Sequence, residues 1–485
     1  MSSLTMAKTN NIKEVLKLAT DNLKEQNFTE AQKNFEKARD LDPKSWTIQN
    51  NLGIIYKKLG QYQNAIDIFQ KIIDNNPKIP EPHNNLANIF KEIGLIKESE
   101  KYYFKALKLK PNSVEYFFNL AVFYSDTGNI QKAAIYYKKI LSIQPNNLHI
   151  YYQLSKIKKD TLDDELNRKI LSLEKKNIPK QNLAYLYFIK SKYNHNKKKY
   201  KQEFDNLIKA HDYLLQSSNQ QYKDDINYWL IELPKFVDKF NDCKIASFQK
   251  DFKPIFIFGV PRSGTTLVES IISASNKSIK IGEETSIIHF FTKQLIVKNK
   301  NINNLENFVT KIIGNYTEKS LIDKNRNYIF TDKSLENFFY LILIKKIFPK
   351  AKFINCKRNV KNSIISILKN NLISPWAHQL ENIFQYFDIY FNIIDKYKKS
   401  LPNLIYDIEL EKLTEFPERE SKSLLKFCEL DWSPESLQFY NRTNIISKTS
   451  SQTQIRNPIY KKNVNDFLNY QEFLKPFGKK YYWFN

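Results

Sequence analysis

Apolar residues recur through the first third of the chain at the spacing of amphipathic helices, and the whole pattern then repeats. A proline closes each unit, and the four prolines are 34 residues apart: Pro43, Pro77, Pro111 and Pro145. Within a unit, small residues such as Ala65 alternate with large ones such as Phe69. Small residues let two helices approach, aromatic rings fill the remaining space, and proline ends the second helix because it lacks an N–H group. The pattern predicts a row of helical hairpins.

A 34-residue period with this order of small and large positions is similar to tetratricopeptide repeats. One such hairpin cannot bury its apolar face alone, but four stacked hairpins can. The resemblance implies an α solenoid over residues 12–147. A solenoid of this kind offers a face to a peptide or protein partner, or packs on another domain of its own chain. The sequence leaves both alternatives open.

Between residues 148 and 250 the period fades while the helical pattern continues. Four helices are predicted there: Leu162–Lys175, Gln181–Tyr193, Tyr200–Leu215 and Asp224–Phe240. We interpret this region as a degenerate repeat or helical cap that links the solenoid to a further domain.

From residue 251 to residue 485, short apolar runs alternate with helical patterns. The predicted strands are Ile255–Phe258, Tyr328–Phe330, Lys352–Cys356 and Leu404–Ile408. The predicted helices are Thr265–Ala274, Thr285–Lys298, Leu305–Asn315, Leu335–Ile347 and Val360–Leu368. This alternation predicts an α/β P-loop-like domain with a parallel sheet, whose ligand lies at the carboxyl ends of the strands.

The loop after the first predicted strand has the features of a phosphate cradle. Gly259 and Gly264 are five residues apart, as in the nucleotide P-loop, and a helix follows whose first N–H groups have no internal partner. Thr265 and Thr266 stand where that motif has Lys and then Ser or Thr. The positive charge lies inside the loop instead, at Arg262. The ligand is therefore anionic, but the loop is not that of an ordinary NTPase.

A second anion site is predicted after the third strand. Arg358 follows that strand, and Ser366 lies eight residues further on in the next helix. Arginine supplies a planar fork of donors, and the serine hydroxyl adds one more. The domain therefore offers two anion sites at strand ends, one at the cradle and one at Arg358 and Ser366.

Together, these two sites resemble the donor-binding motifs of the sulfotransferases that use 3′-phosphoadenosine-5′-phosphosulfate. The resemblance implies that the first loop holds the 5′-phosphosulfate through Arg262, Ser263, Gly264, Thr265, Thr266 and Leu267. It implies that Arg358 and Ser366 hold the 3′-phosphate. No metal is needed.

Three further segments are similar to the tyrosylprotein-sulfotransferase-like, bacterial repeat-linked branch of that family. Gly282–Thr285 resembles the segment that carries the catalytic base, and Lys333 the catalytic lysine. Ser451 lies in a segment that resembles the one closing over the nucleotide, and Lys461 is a further candidate for the 3′-phosphate. Leu410–Glu411 replaces the family's frequent Tyr-Glu pair, and Asn359–Val360 replaces its usual turn after the arginine.

The base is either Glu283 or Glu284, because adjacent side chains point in different directions. Alignment on the Gly-Glu-Glu-Thr motif favours Glu284, and alignment on the helix end favours Glu283, which we prefer. Arg262 and Lys333 would stabilise the charge of an in-line transfer. His289 is an alternative base, although a histidine on a helix face is more often packed.

Composition limits the remaining possibilities. The formal net charge is +25, but the basic residues are spread along the chain and predict no nucleic-acid site. The three cysteines are far apart and indicate a reduced, cytoplasmic protein. The polar segment Met1–Asn11 predicts no signal peptide, and no apolar run approaches the length of a membrane span. The acceptor is a hydroxyl of a protein, a glycan or a small molecule. The alternatives are a P-loop phosphotransferase and a repeat scaffold with an inactive nucleotide domain.

Overall fold

The computed structural model describes residues 3–25, 27–157, 164–173, 178–243, 252–297, 306–322, 329–441, 454–459 and 466–484. The chain divides into two compact units. The first contains the residues up to Ile143 together with Ile313–Ser320, and the second contains the rest of the described chain from Gln144 onward. Within the described ranges, every helix is too short or too polar to cross a lipid bilayer.

The first unit is built from helical hairpins. Eight helices are described before residue 144: α1 Ser3–Lys24, α2 Phe28–Leu41, α3 Trp46–Lys58, α4 Tyr62–Asn75, α5 Pro80–Glu92, α6 Ile96–Leu109, α7 Val114–Asp126 and α8 Ile130–Ile143. Each even-numbered helix ends two residues before the proline of its repeat, at Leu41, Asn75, Leu109 and Ile143. The predicted hairpin organisation is therefore confirmed.

Small and large residues fill the hairpin core as their spacing predicts. Ala65, Ala87 and Ala121 are completely buried, so the helix backbones approach closely at these positions. Phe69 and Tyr103 are also buried and occupy the space beside them. Burying one such large side chain stabilises the fold by about 1.5–3 kcal/mol, and the contribution recurs in every repeat.

The second unit begins with six more helices: α9 Leu148–Ile157, α10 Asp164–Leu173, α11 Lys180–Asn196, α12 Tyr200–Gln216, α13 Gln220–Asn227 and α14 Leu233–Phe236. The helix predicted over Asp224–Phe240 is present as a helical segment, but it is not a regular α-helix throughout. The chain passes from α13 through a π-helix at Tyr228–Glu232 into α14 and then into a 3₁₀ turn at Asp238–Asn241. Pro234 has no N–H group to donate and its ring crowds the preceding turn, which disfavours a regular helix.

A four-stranded parallel sheet forms the centre of the second unit. Its strands are β1 Ile255–Phe258, β2 Thr331–Asp332, β3 Lys352–Lys357 and β4 Ile405–Glu409, in the spatial order β2-β1-β3-β4. Ile255 of β1 pairs with Thr331 on one side and Lys352 on the other. The carboxyl ends of these strands therefore meet at one edge of the sheet.

The helices described after β1 are α15 Thr265–Ser275, α16 Ile287–Val297, α17 Glu306–Glu318, α18 Leu341–Ile347, α19 Val360–Leu368, α20 Leu380–Ser400, α21 Leu410–Glu415, α22 Pro417–Phe427 and α23 Gln471–Gly478. The predicted helix over Leu335–Ile347 begins as a 3₁₀ helix, Leu335–Tyr340, and continues as α18. The strand predicted at Tyr328–Phe330 pairs slightly later, at β2, while Phe330 bridges Lys280. Residue 328 lies outside the described ranges.

Candidate active site

The predicted cradle lies between β1 and α15. Gly264 caps the helix in the left-handed conformation, with a φ of 95°. A Cβ atom at this position would lie 2.7 Å from the Leu410 Cδ1 atom, so only glycine fits. Arg262 also has a positive φ, 72°. A non-glycine residue in this region is strained by about 1–3 kcal/mol, and such strain is common where a loop binds a ligand.

Ser263 supports the interpretation of this loop as a binding site. Its side chain is 1% exposed, and its hydroxyl has no hydrogen-bond partner among the residues that the structure describes. Leaving a buried hydroxyl unsatisfied costs about 1–3 kcal/mol. An anionic group at the start of α15 would accept a hydrogen bond from this hydroxyl and also face the first N–H groups of the helix.

The second predicted anion site directly adjoins the cradle. The Arg262 Nε atom donates to the Ser366 hydroxyl over 3.0 Å. The Arg358 Nη1 atom donates to the carbonyl oxygen of Arg262, also over 3.0 Å. The sequence treats these residues as two separate sites, whereas the structure joins them through Arg262.

Lys333 brings three segments of the chain together at the end of β2. Its Nζ atom lies 2.8 Å from Glu283 Oε1 and 3.1 Å from the Thr266 hydroxyl, at the start of α15. The side chain is only 1% exposed. Burial lowers the pKa of this lysine, but the carboxylates of Glu283 and Glu269 outweigh burial and raise the pKa overall. The ammonium group therefore stays charged inside the site.

The two candidate bases occupy different positions. The Glu283 side chain is 8% exposed and forms the close ion pair with Lys333. Glu284 is exposed and has a positive φ of 49°, and its backbone N–H donates to the Lys333 carbonyl over 3.0 Å. Of the two carboxylates, the structure places Glu283 in the buried ion pair beside the first turn of α15.

Asp332 fixes the segment that carries these glutamates. Its buried carboxylate accepts hydrogen bonds from Thr285 Oγ1, Ser334 Oγ and Asn337 Nδ2 at 2.6, 2.7 and 3.1 Å. These three hydrogen bonds hold the turn after Glu284 against β2. The sequence motifs do not predict that Asp332 fixes this turn, although a polar run at the end of a buried strand is a signal that could indicate it.

Glu269 is the second residue that the sequence analysis missed. It lies on α15, one turn after Thr266, and its carboxylate is 3.8 Å from the Lys333 ammonium. Its position inside an apolar helical pattern suggested only a packed helix face, and helical spacing alone cannot show which partner a side chain meets.

His289 is packed against aromatic residues, as is usual for a histidine on a helix face, and this packing argues against a role as base. Its ring stacks on Trp229 with a centroid separation of 4.5 Å, and Nδ1 shares a 2.8 Å hydrogen bond with the Tyr340 hydroxyl. Burial lowers the pKa of His289 to about 3. These contacts account for the residue without a catalytic role.

The two departures from the family pattern have clear structural partners. Leu410 lies against Gly264, and Glu411 accepts a hydrogen bond from the Asn359 backbone N–H over 3.0 Å. The Asn359 side chain caps α19 by accepting from the Asn362 N–H. Ser451 and Lys461 lie outside the described residues.

No cluster of three or more His, Cys, Asp or Glu side chains in the described ranges is arranged to hold a metal ion. The three cysteines, Cys243, Cys356 and Cys428, are buried and free.

Comparison with known families supports the same division of the chain. Residues 254–434 match the family model described as "Sulfotransferase family". Residues 16–80, 80–113 and 114–147 match models described as "Tetratricopeptide repeat". The predicted arrangement of repeats before a sulfotransferase domain is thus confirmed.

The chain is similar to several curated proteins. An uncharacterized protein of Aquifex aeolicus (strain VF5) is 30% identical over 62% of this chain and 41% of its own length. Protein-tyrosine sulfotransferase 1 of Danio rerio is 26% identical over 38% of this chain and 56% of its own length. The same-named protein of Homo sapiens is 25% identical, over 39% and 55%. The chain thus spans about half the length of these relatives.

Solved structures also match parts of the chain. The sulfotransferase domain from the curacin biosynthetic pathway is 19% identical, with a TM-score of 0.31 over 45% of this chain and 86% of that one. MamA, a further match, is 19% identical, with a TM-score of 0.29 over 35% of this chain and 98% of that one.

Proposed function

We propose, from the premise that residues 254–434 are a sulfotransferase-family domain preceded by tetratricopeptide repeats, that this chain transfers a sulfuryl group from 3′-phosphoadenosine-5′-phosphosulfate to an acceptor hydroxyl. The observation that carries the proposal is that Glu283 Oε1 and the Thr266 hydroxyl both lie within 3.1 Å of the Lys333 Nζ atom. A charged donor, a carboxylate and the first turn of an anion-binding helix are the parts that such a transfer requires.

Each side chain then has a role in an in-line displacement. The acceptor oxygen attacks sulfur while Glu283 takes the acceptor's proton. The bond between sulfur and the 5′-phosphate oxygen breaks, and its electron pair stays on the phosphate. Lys333, Arg262 and the first N–H groups of α15 stabilise the charge that develops on the transferred group and the leaving oxygen.

The donor's 3′-phosphate is assigned to Arg358 and Ser366. The contact between Ser366 and Arg262 supports this assignment, because a nucleotide that bridges the two anion positions would meet both residues at once. Ser451 and Lys461 remain further predictions for donor binding.

The acceptor and its presentation are also proposals. Protein tyrosine is the first acceptor to test, because several relatives are named protein-tyrosine sulfotransferases. The repeat region would bind the acceptor or a protein partner. The cytoplasmic location remains a prediction that rests on the three reduced cysteines.

Calorimetry with adenosine 3′,5′-bisphosphate and with ATP tests the donor class. We expect binding of the bisphosphate and much weaker binding of ATP. The reverse preference would favour a P-loop phosphotransferase, and binding of the bisphosphate without transfer to any acceptor would favour a repeat scaffold with an inactive nucleotide domain.

Transfer of labelled sulfate tests the acceptor class. A glutamate–tyrosine copolymer, an oligosaccharide and 4-nitrophenol represent a protein, a glycan and a small molecule. We expect label to appear in the copolymer, and label in the oligosaccharide alone would overturn the choice of a protein acceptor.

A further inference from the structure

Glu269 is a buried carboxylate that the reaction outlined above does not use. We propose that Glu269 is a positioning residue for Lys333, acting as a second counter-ion that holds the ammonium group in place while Glu283 takes the acceptor's proton. This inference rests on the proposed sulfuryl transfer and adds a residue to it.

The geometry ties Glu269 to both segments that carry the reacting side chains. Its Oε2 atom is 3.8 Å from Lys333 Nζ, and its Oε1 atom accepts a 2.7 Å hydrogen bond from Thr331 Oγ1. Thr331 precedes the lysine by two residues, and its hydroxyl accepts from the Gly282 N–H over 3.2 Å. Gly282 is adjacent to Glu283. A displaced Glu269 would therefore disturb the lysine and the base together.

The charge of Glu269 is needed when Glu283 becomes protonated during the transfer. Before transfer, the buried Lys333 ammonium has Glu283 as its nearest carboxylate, at 2.8 Å. When the acceptor's O–H bond breaks, its proton neutralises Glu283, and the lysine loses that partner. A buried charge without a counter-ion is strongly disfavoured. With a pKa of about 7, Glu269 is ionised beside the lysine at pH 8 and keeps the ammonium in position until the leaving phosphate oxygen carries the negative charge.

The same charge opposes folding at higher pH, which argues against a purely structural role. Burial is the largest influence and raises the pKa of Glu269 to about 7, while Lys333 partly offsets it. Because this pKa lies above the usual value of 4.5, the ionised form costs stability as pH rises from about 4.5 to 7. A glutamine would keep the shape and accept the Thr331 hydrogen bond without that cost.

The test is Glu269→Gln, assayed with the labelled donor and the glutamate–tyrosine copolymer. We expect kcat to fall by about 10²-fold at pH 8, because a misplaced ammonium no longer faces the leaving oxygen. The KM for the donor and the affinity for adenosine 3′,5′-bisphosphate should stay near the wild-type values. We also expect Tm to exceed that of the wild type at pH 8 and to match it at pH 4.5.

Ser273→Ala is the matched control. This buried serine lies one turn further along α15 and donates to the Ser270 carbonyl of its own helix. It should leave kcat unchanged.

Two results would overturn the role of Glu269: a wild-type kcat in Glu269→Gln, or a kcat loss accompanied by a lower Tm at pH 8, which indicates damaged packing. A wild-type chain that transfers no label to any acceptor overturns the proposed function itself. That failure is visible before any variant is made, and the role of Glu269 falls with it.

Discussion

Arg262 is the residue on which both anion positions of the site converge. Its backbone is left-handed, and the Arg358 side chain donates a hydrogen bond to the Arg262 carbonyl. The Arg262 side chain in turn donates to the Ser366 hydroxyl. A strained conformation persists only where its surroundings determine it. Arg358 therefore has two predicted tasks: it shapes the loop, and it binds the 3′-phosphate.

Replacement of Arg358 by alanine should separate ligands by their 3′-phosphate. Loss of a hydrogen bond to a charged group costs about 1.5–3 kcal/mol, so we expect adenosine 3′,5′-bisphosphate to bind about 10- to 100-fold more weakly. Adenosine 5′-phosphate lacks the group that Arg358 contacts, so its affinity should fall only by the smaller loss that follows from the missing hydrogen bond to the Arg262 carbonyl. Calorimetry measures both. The control is Lys357→Ala, since Lys357 is 41% exposed and paired with Asp407. An equal loss for both nucleotides would contradict the assignment.

The two adjacent glutamates should differ sharply when each is changed to glutamine. Glu283→Gln removes the carboxylate beside Lys333, and loss of a general base lowers kcat by about 10²- to 10⁴-fold. Glu284→Gln changes an exposed side chain while its backbone contact to Lys333 remains, so kcat should stay near wild type. Labelled transfer at saturating donor measures both, and retained bisphosphate binding shows that each variant is folded. A large loss in Glu284→Gln alone would move the base to that residue.

At the scale of elements, α19 links the site to the helical cap. Its first turn is capped by Asn359, next to Arg358, and Ser366 lies near its end. The last carbonyl of the helix, at Leu368, accepts a 2.9 Å hydrogen bond from His211 Nε2 on α12. His211 Nδ1 in turn shares a 2.8 Å hydrogen bond with His378. Two buried imidazoles thus support the helix that carries half of the second anion site.

This histidine pair should make the second unit sensitive to acid. Burial lowers the pKa of His211 to about 4, and burial followed by the charge of His211 lowers the pKa of His378 to about 3. Both values lie below 6.5, the usual value, so the unfolded chain takes up protons first and stability falls as pH drops from about 6.5 to 4. Each histidine contributes up to about 3 kcal/mol to this loss.

His378→Gln tests that expectation, because glutamine keeps a hydrogen bond to His211 but does not titrate. Denaturant unfolding between pH 7 and pH 4 should give a free energy that falls about half as steeply as in the wild type. An unchanged slope would show that other groups control the acid transition.

At the scale of the whole molecule, elements with strong local signals could be predicted from sequence. Strand β1 and helix α19 have the predicted ends, because a buried apolar run and a capped helix are set by nearby residues. The π-helix before Pro234 could not be predicted, since the helical periodicity of Asp224–Phe240 indicates a helix but not its hydrogen-bonding pattern.

The residues of the candidate site divide in the same way, into those with a local sequence signal and those that only tertiary contacts reveal. The cradle and Lys333 could be found because strand ends carry motifs. The contacts between Arg262 and Ser366 and between Glu269 and Lys333 join residues 104 and 64 positions apart, and only tertiary packing reveals them.

The net charge of +25 makes its own prediction at this scale, although the charge marks no single binding face. The proposed donor is a polyanion, and a strongly positive molecule raises the encounter rate of such a ligand in a salt-dependent way. Raising the ionic strength from about 0.05 to 0.5 M shortens the screening distance from about 14 to 4 Å. We therefore expect kcat/KM for the donor to fall about 10-fold, within the range known for electrostatic steering.

In contrast, kcat should hardly change, because Lys333 and Glu283 are buried and their ion pair is little screened. The measurement is steady-state transfer to the glutamate–tyrosine copolymer, held at saturation, at fixed pH. A salt-independent kcat/KM would show that the spread charge does not steer the donor, and a parallel fall in kcat would show that salt reaches the buried pair.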